Sequence, residues 1–158
     1  MFLTKARNYV DQMIETTSEI FEMPLLRGAE DLGQFIDKNY SGRVVEIGAG
    51  HILEVALYLA SLGRDVIVTD KEERNLGGLH VEKDDIFMPN FDLYRGASLL
   101  YSIRPPLELQ LAMGILASRL GADILIRPLN DEVAELPGFA RRLVNTGEAR
   151  FYIFRPNP

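Results

Sequence analysis

Residues 43–51 read Arg43-Val44-Val45-Glu46-Ile47-Gly48-Ala49-Gly50-His51, an apolar helical pattern follows to Leu62, and Asp65-Val66-Ile67-Val68-Thr69-Asp70 closes the stretch. An apolar run, a tight glycine turn, a helix and a second apolar run ending in an acid make one βαβ half-unit of an α/β sheet. Where a strand turns into a helix, Gly48 and Gly50 open backbone conformations closed to other residues and let the chain approach a ligand. The first N–H groups of the following helix point at the same place. Asp70 stands twenty residues after Gly50, at a strand end where a carboxylate accepts hydrogen bonds from both hydroxyls of a ribose. The stretch points to a nucleoside-bearing ligand; the alternative is an architectural turn in a domain that binds none.

The spacing after Gly50 separates the nucleosides. A dinucleotide fingerprint needs a third small residue where this chain has Leu53. NAD, and with it an NAD-dependent oxidoreductase, is therefore the last of the readings. Glu46, Gly48 and Gly50 instead match the Glu-x-Gly-x-Gly opening of S-adenosylmethionine-dependent methyltransferases, with Ile52 where many of those enzymes carry a further glycine.

Composition bounds the rest. The 158 residues suit one domain, 1–158, with N-terminal helices over 1–40 packed on a core over 41–158. The hydrophobic share of 47% and charged share of 25% are those of an ordinary globular chain. A net charge of -6 argues against a broad nucleic-acid surface. With no cysteine, disulfides, thiolate zinc sites and cysteine nucleophiles are excluded, and the pattern calls for no metal. Lys5, Arg7 and Asp11 interrupt any apolar signal core, and no stretch reaches the roughly 18 apolar residues of a membrane span. The expected location is cytoplasmic, without a membrane partner.

Along the chain, Phe2, Leu3, Ala6, Tyr9, Val10, Met13, Ile14, Ile20 and Phe21 recur at helical spacing before Pro24. This stripe packs on the chain's own core or, alternatively, forms a homodimer contact. A second helix is expected over 28–40, a buried one over 52–62 with Gly63 as its cap, and a short solvated one over the charged residues 71–74. Strands follow at 79–82, 97–103 and 123–127, with a helix over 107–120 between the last two, a short helix over 132–136, and a hairpin over 140–154. Asp84-Asp85-Ile86-Phe87 offers a carboxylate for an adenine amine and apolar walls for its ring, or else a solvated turn anchored in the core. Arg104-Pro105-Pro106 follows one strand and Arg127 ends the next. The two arginines project from neighbouring strand ends as a small anion site, unless one is paired with Asp70, Asp85 or Glu108.

Taken in order, residues 43–154 resemble the class I S-adenosylmethionine-dependent methyltransferases. More narrowly, Val-Val-Glu-Ile-Gly-Ala-Gly, Val-Thr-Asp, Asp-Asp-Ile-Phe and Tyr-Ser-Ile-Arg-Pro-Pro are similar to an uncharacterised, mostly archaeal family with that fold. The resemblance implies an α/β, Rossmann-like fold with a mostly parallel sheet of order 3-2-1-4-5-7-6, an antiparallel last strand and helices on both faces. It also implies that Gly48 and Gly50 approach the methionine part of the cofactor, Glu46 supports their loop, Asp70 holds the ribose, and Asp85 with Ile86 frames the adenine. Ser102 to Pro105 would lie beside the transferable methyl. Amino-methylating relatives carry Asn- or Asp-Pro-Pro-Tyr where this chain has Arg104-Pro105-Pro106-Leu107, so methylation of a base or glutamine nitrogen is not implied.

Methyl transfer asks mainly for alignment and sometimes for a base. His51, beside the glycine turn, Tyr101 and Arg104 are the candidates for chemistry, with Glu108 as a further one; Arg104, Pro105 and Arg127 are the candidates for binding a small or anionic substrate. A methyltransferase-like protein that binds a ligand or partner without transfer is the alternative.

Overall fold

A computed structural model describes residues 26–50, 53–76 and 78–158. The helix expected before Pro24, with its two alternative packings, lies outside these residues, as do His51 and Ile52. Among the described residues the elements run α1 (Ala29–Asn39), β1 (Arg43–Ile47), α2 (Glu54–Ser61), β2 (Val66–Asp70), β3 (Arg74–Leu76), β4 (Leu79–Lys83), α3 (Phe91–Tyr94), β5 (Ala97–Ile103), α4 (Leu107–Leu120), β6 (Asp123–Arg127), β7 (Phe139–Thr146) and β8 (Ala149–Pro156). No helix among them is long and apolar enough to cross a membrane.

The strands form one sheet of order β3-β4-β2-β1-β5-β6-β8-β7. β4, β2, β1, β5 and β6 are parallel neighbours, whereas β8 runs antiparallel to both β6 and β7. With β3 set aside, the order counted along the chain is 3-2-1-4-5-7-6 with an antiparallel last strand, as the resemblance implies. Proline and glycine set the ends of α4: Pro106 occupies its N-cap with φ -66°, and Gly121 closes it in the left-handed region at φ 71°.

Two expected helices are absent, for physical reasons. Residues 71–74 do not form a short helix; β3 begins at Arg74 and pairs antiparallel with β4, with Asn75 opposite His80. Only residues 71–78 separate β2 from its parallel neighbour β4, fewer than a helical crossover needs. The chain turns back as an edge strand instead. Residues 132–136 are likewise not helical. The buried Gln110 amide donates to the Glu132 carbonyl (2.7 Å) and accepts from the Ala134 amide (2.8 Å), meeting the backbone's polar demand without helical bonds.

Strand alternation divides the core between the two faces. Val44, Leu99, Tyr101 and Leu125 pack under α1 and α2, against Leu32, Ile36, Val55 and Leu59. Val45, Ile47, Leu100 and Ile124 pack under α4, against Met113, Leu116 and Ala117. The α1–α2 contact depends on Gly33, where an added Cβ would lie 2.5 Å from the Tyr58 ring. Helix propensity alone favours Gly33→Ala by about 0.5–1 kcal/mol. The clash reverses the sign, and the expected result in urea unfolding is a loss of about 1–3 kcal/mol; a stabilised variant would contradict this packing.

Candidate functional site

The carboxyl ends of β1, β2 and β4 meet at one cleft. β1 ends in Glu46-Ile47, after which Gly48 (φ 66°) and Gly50 (φ 55°) are both left-handed. The turn is held from both neighbouring strands. The Gly48 and Ala49 amides donate to the Thr69 carbonyl on β2 at 3.0 and 3.2 Å. On the other side, the Ser102 hydroxyl of β5 donates to the Ile47 carbonyl at 2.6 Å. Space as well as φ restricts Gly48, whose added Cβ would come within 3.1 Å of Leu109 on α4; at Gly50 only φ does, since nothing lies within 4 Å.

Asp70 at the end of β2 accepts from the Lys71 amide (2.9 Å) and from Nη2 of Arg74 (3.1 Å), while the same Arg74 nitrogen donates to the Gly50 carbonyl. One guanidinium thus ties the acid to the glycine turn. At the end of β4, the Asp84 amide donates to the Asp70 carbonyl at 2.9 Å. Asp84 is itself structural, accepting from the Asn90 amide (2.8 Å) and from the Tyr94 hydroxyl. Burial, then the bond to Asp84, pushes the Tyr94 phenol up. The Asp85 carboxylate accepts the Phe87 amide at 3.0 Å through Oδ1, and its backbone carbonyl accepts the Met88 amide at 2.9 Å. Ile86 is buried, and Phe87 stands 59% exposed at the lip.

The cleft encloses about 370 Å³ and is walled by Gly48, Asp70, Asp85, Ile86, Phe87 and, from the start of α4, by Pro106, Glu108 and Leu109. It therefore brings together Gly48, Asp70, Asp85 and Ile86, four of the residues the resemblance assigned to a cofactor. Glu46, Tyr101 and Ser102 are fully buried and do not line it. Glu46 and Tyr101 face each other across the β1–β5 pairing. Neither carboxyl oxygen of Glu46 nor the Tyr101 hydroxyl closes a hydrogen bond of ordinary geometry with a described residue. Burial pushes Glu46 up to about 8; the Tyr101 hydroxyl offsets part of this, and the Asp70 charge adds to it.

Arg104 follows β5 directly, and Arg127 ends β6. Arg104 is left-handed at φ 55°, and its amide donates to the Arg127 carbonyl at 2.7 Å. Arg104 Nε is buried without a described partner. Arg127 donates through Nη1 to the Pro128 carbonyl (2.9 Å); burial, and then the charge of Arg104, hold it below the usual guanidinium range. The alternative pairings to Asp70, Asp85 or Glu108 do not form: among the described residues Asp70 takes Arg74, and neither arginine enters a salt bridge. Pro105 is buried, and its carbonyl accepts from Gln110 at 3.1 Å.

A model of the uncharacterised protein family UPF0146 matches residues 30–156. The chain belongs to this family. It is 42% identical over 125 residues to the UPF0146 protein of Archaeoglobus fulgidus, covering 78% of this chain and 92% of the relative. The Methanocaldococcus jannaschii member is 36% identical over 129 residues, 78% of this chain and 91% of that one. Among solved structures, a provisionally assigned caffeoyl-CoA O-methyltransferase from Staphylococcus aureus superposes with TM-score 0.58 at 10% identity, over 92% of this chain and 91% of that one. TrmN from Thermus thermophilus superposes with TM-score 0.54 at 20% identity; the match covers 80% of this chain and 46% of TrmN. This chain thus has the fold of the Rossmann-like methyltransferases.

Two residues of the site escape a reading of the sequence alone. Arg74 falls in a run of charges that reads as solvated, and its pairing with Asp70 is made across the turn between β2 and β3. Gln110 is a lone amide between Leu109 and Leu111 in an apolar helix, and nothing local says that it will hold a distant loop.

The buried Glu46 makes stability depend on pH. Its folded value of about 8 lies above the ordinary 4.5, so the folded state holds a proton that the unfolded chain releases. The stability contributed is full below pH 4.5 and is lost as pH rises towards 8, on the order of a few kcal/mol across that window. Urea midpoints at pH 5 and pH 8 should fall further for the parent protein than for Glu46→Gln. Parallel pH profiles for the two proteins would contradict the assignment.

Proposed function

We propose that the cleft binds S-adenosylmethionine and that the protein is a methyltransferase acting on a small or anionic acceptor. The observation that carries this reading is the convergence of three strand ends: the glycine turn after β1, Asp70 after β2, and the Asp85-Ile86 turn after β4 all border one cavity. Asp70 would accept from the ribose hydroxyls, sharing its carboxylate with Arg74. The bare Cα of Gly48 would admit the methionine part, and Ile86 with Phe87 would flank the adenine, whose amine has the second oxygen of Asp85 within its own turn as an acceptor.

When bound, the cofactor would supply a sulfonium methyl, an electrophile that needs little covalent assistance. The chain's own contribution is alignment. Leu109 and Pro106 close the wall beside the glycine turn, and an acceptor would approach from the end of β5, where Arg104 follows. NAD is disfavoured because Leu53, where a dinucleotide site has a small residue, is buried against Val68 and Val81. Binding without transfer is the second reading, favoured by the absence of an amide or carboxylate before Pro105-Pro106.

Calorimetric titration with S-adenosylmethionine, S-adenosylhomocysteine and NAD separates these readings. The first two should bind and NAD should not, and Asp70→Ala should weaken binding about tenfold or more, the scale of one lost charge-assisted hydrogen bond. Binding of NAD alone, or of none of the three, would contradict the proposal. Incubation with methyl-labelled cofactor and cell extract then tells transfer from binding.

A further inference from the structure

We infer that Arg104 and Arg127 form an oxyanion subsite, one that receives a phosphate or carboxylate group of the methyl acceptor. Assigning that anion to the acceptor rests on the reading of the cleft given above; the anion site itself does not.

The two cations are held side by side by the backbone. Ile103 and Arg127 are register partners in the β5–β6 pairing, and the Arg104 amide then bonds the Arg127 carbonyl at 2.7 Å. Such an arrangement brings like charges together in an acidic protein, where carboxylates to neutralise them are plentiful. None does so among the described residues. Asp70 is engaged by Arg74, Asp84 by Asn90 and Tyr94, and Asp123 by Tyr40 and Arg155.

Arg104 also adopts a backbone region that non-glycine residues rarely occupy. A left-handed, non-glycine residue is strained, and such strain persists where the surrounding structure enforces it. Here the amide bonded to the Arg127 carbonyl does so, against the extended backbone that the following Pro105 favours. Its Nε is buried and donates to nothing described, a donor without the acceptor that a buried N–H ordinarily finds. The Arg127 guanidinium is half-buried, and it is destabilised by its burial and by the neighbouring cation. A bound oxyanion would supply the missing acceptor and offset both charges, and the planar fork of arginine fits phosphate or carboxylate through two parallel bonds.

There is space for such a group on the Arg127 side. A cavity of about 250 Å³ opens beside Arg127, lined also by Pro128, Asn130, Asp131, Arg150 and Tyr152. Asp131 is its one acid, and Arg150 lies 3.9 Å from it. The volume is below the roughly 300 Å³ at which whole-ligand pockets begin, so it takes a terminal group rather than an entire substrate. Pro106, two residues after Arg104, walls the cofactor cleft. An acceptor anchored at the arginines therefore reaches towards the methyl donor from the end of β5.

The test follows the arginine Nε–H resonances of the ¹⁵N-labelled full chain, without cofactor, during titration with inorganic phosphate and, in parallel, malonate at constant ionic strength. The expected result is a saturable shift of two arginine resonances, absent in Arg104→Gln and Arg127→Gln respectively, with each variant weakening binding at least tenfold. Arg104→Lys and Arg127→Lys keep the charge without the fork and should bind with intermediate affinity, which guards against a variant that merely fails to fold. Tighter binding of phosphate than of malonate identifies a phosphorylated acceptor, and the reverse a carboxylate one. No saturable shift with either anion, or a shift unchanged in both glutamine variants, would overturn the subsite. Phosphate binding in a protein that binds no S-adenosylhomocysteine would instead overturn only its assignment to a methyl acceptor.

Discussion

The amides of Gly48 and Ala49 share the Thr69 carbonyl, and from the opposite side the Ser102 hydroxyl holds the Ile47 carbonyl. These contacts fix the end of β1 between β2 and β5, and the rest of the ligand-facing edge is built outward from them. Once the glycine turn is pinned, Asp70 follows Thr69 at a set distance from it, and Arg74 locks the two by bonding both Asp70 and the Gly50 carbonyl. Ser102, two residues before Arg104, carries the same restraint to the other side of the cleft. A backbone turn stabilised by partners on two strands is preorganised, which reduces the ordering cost that a ligand would otherwise impose.

The same edge concentrates groups that a stability-optimised protein would avoid. Glu46 is a buried carboxyl facing a buried Tyr101, and burial followed by the Glu46 charge pushes that phenol well up as well. Arg104 is strained and carries an unpaired buried nitrogen, next to a second cation. Other buried polar side-chain groups among the described residues, Arg74 Nε aside, are satisfied: Gln110 uses both ends of its amide, and Asp123 accepts from Tyr40 at 2.7 Å. Unsatisfied groups of this kind cluster where proteins bind ligands, and their cost is offset by the packing of the two apolar layers.

Much of this was legible because local chemistry and tertiary structure agree. Strands β5 and β6 and helix α4 lie at the expected residues, since Pro106 and Gly121 punctuate the chain as firmly in isolation as in the fold. The family resemblance groups Gly48, Asp70, Asp85 and Ile86, and they border one cleft because strand ends in a parallel sheet share one edge. The misreadings occur where distant partners decide. Residues 71–74 look like a solvated helix until the shortness of the β2–β4 link, a property of the sheet order, forces an edge strand. Residues 132–136 look like a helix until a side chain from α4 meets their backbone. The burial of Tyr101 and Ser102 also depends on tertiary structure, because strand alternation selects a face but not how thoroughly helices cover it.

The most direct measurement is a crystal structure of the full chain grown with S-adenosylhomocysteine. The account predicts the ribose hydroxyls at about 2.6–3.2 Å from the Asp70 carboxylate, the adenine between Ile86 and Phe87, and the amino-acid portion over Gly48. A ligand bound elsewhere, or a cleft from which the retained Arg74–Asp70 pair excludes the ribose, would contradict it.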